Sequence, residues 1–266
     1  MRCAARATKF ATQVLLALLV CVPTLANAAA PVTLTQVSPP ATYKPGGRSI
    51  DVLGITPGMQ PDAVRDILAK TYGNVIVTQD DLGLENRGVV VKTQDFVTRM
   101  TAQRDTDEVV VWFATPTTGN GVIEVTRQVS YRDETSAPAM QQAQAELIER
   151  YGKPGFDGPA VGTGEVRLMA WSYHGNTPTP CPRSSCRAGL SEGLYVRNLA
   201  AYSRSIKTGN ELTLVVTLLS GIADPSRASG MVITMSDAAT KFRTLDAAVA
   251  QMKTASTRKG LPKQDD

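Results

Sequence analysis

His174 is the one histidine in a chain of 266 residues, so a Ser-His-acid or Cys-His relay would have to run through it. It follows Trp171-Ser172-Tyr173, where it can reach a cleft, but no G-x-S-x-G elbow accompanies it. A lone histidine in that place reads as a polar rim residue, and a histidine-rich metal site is excluded. Carboxylates cluster at Asp80-Asp81, Asp105-Asp107-Glu108 and Asp133-Glu134. A glycosidase needs two acids facing each other across a cleft, whereas these fall in stretches that read as turns, where solvated acids are expected. The run from Asp80 to Glu85 lacks calcium-loop spacing. Gly162-Thr163-Gly164 is followed by no helix and no Gly-Lys-Ser, so it reads as a turn and not a phosphate loop. No catalytic residue, metal or cofactor is assigned.

The sparse aromatic residues are the other chemistry-bearing group. Trp112, Trp171, Tyr173 and Tyr195 lie in stretches with strand character, and Trp171 and Tyr173 share one face because strand side chains alternate. If that face points away from the helices it is a contact surface of the kind that carries binding energy; if it points toward them it is core. Trp171, Tyr173 and His174, with Arg183 and Arg187 in the loop that follows, form the candidate binding rim.

The elements that must position these residues begin after a targeting segment. Met1 to Lys9 is a positive n-region, Phe10 to Val22 an apolar h-region, and Ala26-Asn27-Ala28 the small residues of a cleavage site, expected after Ala28. The apolar run is short for a membrane span, so no stable span is expected after cleavage, and the mature chain is expected in the periplasm. Export would remove Cys3 and Cys21 and leave Cys181 and Cys186, in CPRSSC. A redox pair more often has two intervening residues, and two thiols do not complete a zinc site; a structural disulfide between Cys181 and Cys186 is expected in an oxidising compartment. Removing Arg2, Arg6 and Lys9 from 28 basic residues leaves 25 against 24 acidic ones, a net charge of about +1. That is no footprint for nucleic acid.

Residues 29–48, rich in Pro, Thr, Ala and Gly, read as a flexible linker. A first unit spans 49–135. Its apolar run Ile50 to Ile55 leads through Thr56-Pro57-Gly58-Met59 into a helix opened by Pro61 and Asp62, striped by Val64, Ile67, Leu68, Thr71 and Tyr72, and ended by Gly73. Strands follow at 74–79, 88–101, 108–115 and 122–131, the last with Ile123, Val125, Arg127, Val129 and Tyr131 on one face and Glu124, Thr126, Gln128 and Ser130 on a wet one. A second unit spans 136–253. It starts with a helix capped by Ser136 and striped by Met140, Ala143, Leu147, Ile148 and Tyr151. Strands at 166–173, 193–202, 211–219 and 229–235 come next, with LTLVVTLL central because both its faces are apolar. Ser236-Asp237 caps a C-terminal helix striped by Ala238, Phe242, Leu245, Val249 and Met252, and 254–266 reads as a disordered tail. Tyr72-Gly73 and Tyr151-Gly152 each close a helix with proline near its start and strands beyond it. The fold class expected is α+β, two tandem helix-plus-antiparallel-sheet units with a C-terminal helix.

Gly54-Ile55-Thr56-Pro57-Gly58-Met59, with Pro61, Asp62, Val64 and the apolar helix beyond, resembles a motif of the SmpA/OmlA family of small envelope proteins, and is similar to the tandem helix-plus-sheet repeats of the β-lactamase inhibitory protein family. The second unit keeps the helix and the Tyr-Gly-Lys-Pro-Gly end without the Gly-Met turn. The resemblance covers about twenty residues per unit and implies an exported, non-catalytic protein-binding or scaffold module of the cell envelope, with another envelope protein as partner. The alternative is a periplasmic hydrolase or ligand-binding protein acting on cell-wall material through His174 and nearby acids.

Overall fold

The computed structural model describes residues 30–86, 89–133, 137–159, 166–181, 194 and 198–260. The expected signal segment 1–28, the expected cap Ser136, and Arg183, Cys186 and Arg187 lie outside them. The described residues from 31 onward belong to one compact unit, an α+β fold dominated by its sheet. The helices are α1 (Pro61–Tyr72), α2 (Met140–Tyr151), α3 (Leu199–Lys207) and α4 (Ala238–Gly260). The long strands are β1 (Val75–Asp80), β4 (Phe96–Arg104), β5 (Asp107–Phe113), β6 (Val122–Ser130), β8 (Val166–His174), β10 (Leu212–Ser220) and β11 (Ala228–Asp237); the short ones are β2 (Gly83–Asn86), β3 (Val89–Lys92), β7 (Phe156–Pro159) and β9 (Thr177–Pro178). Nine strands make one continuous antiparallel sheet in the order β1-β4-β5-β6-β11-β10-β8-β7, with β9 on β8, and β2 and β3 form a separate hairpin. The β6–β11 ladder makes the sheet continuous across the boundary drawn at residue 135.

Register assigns the two faces. Met100, Val111, Val125, Met235, Leu214 and Trp171 are successive cross-strand partners and form one buried row. This row shares a core with Val64, Leu68 and Tyr72 of α1 and with Ala143, Leu147 and Tyr151 of α2. The α1 stripe is the one legible in sequence, and Gly73 ends the helix at φ 85°, its N–H donating to the Ala69 carbonyl. Arg127 sits on this apolar face because Asp107 takes its guanidinium through two bonds, at 3.0 and 2.8 Å, and Tyr72 donates its hydroxyl to the same carboxylate at 3.0 Å. Burial, with the nearby Asp107 charge, pushes the Tyr72 phenol up to about 12.

On the opposite face the partners Thr78, Arg99, Trp112, Glu124, Ser236, Thr213 and Ser172 form a polar row. α4 seals its middle. Asp237 caps this helix, accepting from the Thr240 N–H at 2.8 Å and the Thr240 hydroxyl at 2.7 Å. One turn on, Lys241 reaches Glu124, and both are sealed from solvent at 0% and 1% exposure. Glu124, expected on a wet face, is therefore interior: the alternation of β6 is intact, but α4 covers that end of the strand. Leu245, Ala248 and Met252 are buried, the last two against Leu34 and Val91, while Phe242 and Val249 are half-buried.

Four further expectations are corrected. The stretch read as a flexible linker is fixed along its length: Val32 bonds both ways with the β3 end (2.7 and 3.2 Å), Val37 donates to the Thr117 carbonyl (2.8 Å), and Tyr43 donates to Asp237 (3.0 Å). Leu34 and Tyr43 supply the apolar anchors, as isolated residues with no period to read. The stretch 193–202, read as a strand, is the start of α3 in its described part, where Tyr202 and Ser205 give helical rather than alternating burial. α2 begins at Met140, and Ile148 of its expected stripe is 40% exposed. Residues 254–260, read as tail, continue α4.

Candidate functional site

Trp171 and Tyr173 share a face, and it is the helix-bearing one. They are 2% and 4% exposed. The Trp171 Nε1–H donates to the Gly152 carbonyl at 2.9 Å, and its ring meets Tyr151 edge-on at 5.6 Å. Burial pushes the Tyr173 phenol up to about 12. These two aromatics are core, covering the floor of a small recess of about 230 Å³ whose rim carries Arg48 and Lys153. His174, one residue on, is 63% exposed; its Nδ1 lies 3.1 Å from Glu211 Oε1, whose other oxygen accepts the Gly175 N–H at 2.7 Å. Among the described residues no serine, threonine or cysteine side chain hydrogen-bonds to His174. Cys181 is buried with Leu168, Ala170 and Val215 on the opposite face of β8 and β10. Of the five expected rim residues two are core, His174 is exposed beside Glu211, and Arg183 and Arg187 lie outside the described residues.

The larger recess, about 330 Å³, opens on the other face over β1, β4 and β5. Register places Arg99 opposite Trp112, and the guanidinium lies 5.3 Å from the centre of the indole ring. Irregular register between Trp112 and Phe113, and between Thr78 and Gln79, interrupts both flanking ladders here. Leu82, Phe96, Phe113 and Leu194 complete the apolar wall, and Asp80 also lines the recess, accepting the Thr98 hydroxyl at 2.9 Å. This is the polar row at its open end: from Glu124 inward it is sealed by α4, and at Trp112 and Arg99 it is only half-buried. Sequence reasoning noticed Trp112 but had no means of pairing it with Arg99. The available signal was the alternation of β4, which sets Arg99, Thr101 and Gln103 against Met100 and Ala102.

Among the described residues no three His, Cys, Asp or Glu side chains converge as a metal site, and no helix is long and apolar enough to cross a membrane. No protein-family model, curated protein or solved structure matches the chain.

Proposed function

We propose that the chain is an exported, non-catalytic protein-binding or scaffold module of the cell envelope, released to the periplasm after Ala28 and built from tandem units spanning 49–135 and 136–253. Element order supports the units. Helix α1 precedes four strands that lie side by side as β1-β4-β5-β6, and α2 precedes four that lie as β7-β8-β10-β11, so the sheet reads the same from either edge about the β6–β11 pair. The likeness of Gly54 to Val64 to the SmpA/OmlA motif and to the β-lactamase inhibitory protein repeats belongs to the same reading. A disulfide between Cys181 and Cys186 belongs to the same reading.

The observation that carries the binding role is the uncovered part of the sheet. Across β1, β4 and β5 the partners Ile76, Thr101 and Val110 remain accessible, Ile76 at 61%, while the same face further along is closed by α4. A flat surface of mixed apolar and polar side chains beside a recess is the kind of patch that docks a protein. The experiment is crosslinking of the tagged protein in the envelope, with capture read by mass spectrometry. One stoichiometric partner is expected with wild type and with His174→Ala, and its loss with Thr101→Arg or Val110→Arg in folded protein. Capture indifferent to both arginines would remove this surface from the function.

The hydrolase reading rests on the His174–Glu211 pair. It requires turnover of cell-wall material that His174→Ala abolishes.

A further inference from the structure

We propose that the recess beside Arg99 and Trp112 binds the carboxylate of a monoanionic ligand with a flat apolar body. The state of the Arg99 guanidinium points there. Among the described residues Arg99 has no carboxylate partner; its Nε is buried without a hydrogen-bond acceptor, and Nη2 makes one long contact, 3.5 Å, to Thr78 Oγ1. The neighbouring cation is already engaged: Lys92 pairs with Asp81, which lines the recess, at 2.8 Å. A guanidinium that lines a recess without a carboxylate partner is matched by a planar oxyanion, to which it offers two parallel donors. The Trp112 ring at 5.3 Å holds the guanidinium without consuming those donors.

The rest of the wall selects the body and the charge. Trp112, Phe96, Phe113, Leu82 and Leu194 line it with apolar side chains, and a volume of about 330 Å³ admits one ring with a short tether. Asp80 and Asp81, which also line the recess, repel a second negative charge, which disfavours phosphate dianions and dicarboxylates. Two sources carry this chemistry: the C-terminal aromatic residue of a peptide, and a free aryl-alkanoic acid. The site is argued from its own geometry and stands apart from the protein-docking reading of the sheet surface.

The test is titration of the purified protein with N-acetyl-phenylalanine and with phenylpropionate, each beside its amide, followed by calorimetry and indole fluorescence. Saturable binding is expected for at least one acid, with its amide weaker by about tenfold or more, the effect of losing one charge-assisted contact. Arg99→Gln should weaken the acid by a similar factor and leave the amide unchanged, with Arg99→Lys between. Binding by N-acetyl-phenylalanine alone assigns a peptide C-terminus, and by phenylpropionate alone a free acid. Failure of both acids to saturate at millimolar concentration, equal affinity for acid and amide, or binding unaffected by Arg99→Gln would each overturn the site. The acid-against-amide comparison needs no variant, so it holds even if Arg99→Gln does not fold.

Discussion

Lys241 of α4 and Glu124 of β6 form an ion pair sealed inside the protein, 117 residues apart in sequence and 0% and 1% exposed. Ser236 adds its hydroxyl to the same carboxylate at 3.3 Å, and the Tyr202 ring lies 5.6 Å from the ammonium. The pair joins the C-terminal helix to the middle of the sheet. Removing one member leaves the other charge buried and uncompensated, at a cost of about 3–5 kcal/mol, whereas replacing both by apolar groups of similar volume is often close to neutral. Lys241→Ala should therefore lower the urea midpoint strongly, and Glu124→Leu with Lys241→Met should recover most of it. If the double variant is as unstable as the single, the interaction is not what fixes α4.

Asp237 makes stability depend on pH. It is fully buried, and burial raises its carboxyl above the ordinary 3.8, opposed by the Thr240 N–H and hydroxyl, the Tyr43 hydroxyl and the Arg243 charge. The folded state then holds its proton more tightly than the unfolded chain. The stability linked to that proton is complete below pH 3.8 and is lost as pH rises through the raised value. Asp237→Asn keeps a capping oxygen and removes the titration. Urea midpoints measured from acid to neutral pH should fall for wild type relative to Asp237→Asn as pH increases. Parallel curves would mean that Asp237 does not titrate in that interval. At the alkaline end, burial and the Asp237 charge hold the Tyr43 phenol well above its usual range, so wild type should also lose stability above about pH 10 relative to Tyr43→Phe.

Much of this architecture was legible where a single period ran long enough. The stripe Val64-Leu68-Tyr72 and its Gly73 stop gave α1, and the apolar run Leu212–Leu218 gave a central strand, flanked in the structure by β8 and β11. Asp237 was readable as a cap because it precedes a helical stripe. What was not legible depends on distant partners. Nothing in residues 30–48 marks Leu34 and Tyr43 as anchors until α4 and the β2–β3 hairpin are in place to receive the first, and the main core with Asp237 to receive the second. Lys241 looks like a solvated helix residue, and Glu124 like the wet side of a strand, until register sets them together. The α3 segment contains Tyr202 among alanines and serines, a pattern too short to separate period two from period 3.6. Of the candidate site, Trp171 and Tyr173 were correctly placed on one face, but which face is decided by where α2 lands.

The Gly58-Met59 turn rests on a backbone crossing that tolerates no side chain. Gly58 donates to the Val122 carbonyl at 2.8 Å, Val122 donates back to that of Met59 at 2.9 Å, and a Cβ on Gly121 would stand 2.7 Å from the Gly58 oxygen and 2.8 Å from its Cα. Neither neighbour is a flexible side-chain end that could move aside. Gly58 itself sits at φ 79° against Pro40 and Ala41. Gly121→Ala should destabilise by about 1–3 kcal/mol, the usual cost of overpacking. Thermal melts measure this. A melting temperature equal to wild type would show that the crossing yields freely and does not hold the turn.

Trp171 and His174 lie three residues apart on one strand and should respond oppositely to truncation. Trp171 is buried against Tyr151 and donates to the Gly152 carbonyl, so it ties β8 to the C-terminal end of α2. Trp171→Ala removes that ring from a packed core and leaves the Gly152 carbonyl without this donor, at a cost of about 3–5 kcal/mol. Among the described residues the His174 side chain pairs with the rim acid Glu211 at 3.1 Å, and exposed pairs contribute little, so His174→Ala should change stability by less than about 1 kcal/mol. Urea unfolding of the two variants beside wild type decides the matter. A Trp171→Ala protein with unchanged stability would return that side chain to the list of contact residues. A large loss in His174→Ala would show that the His174–Glu211 contact fixes the β8–β10 edge rather than decorating it.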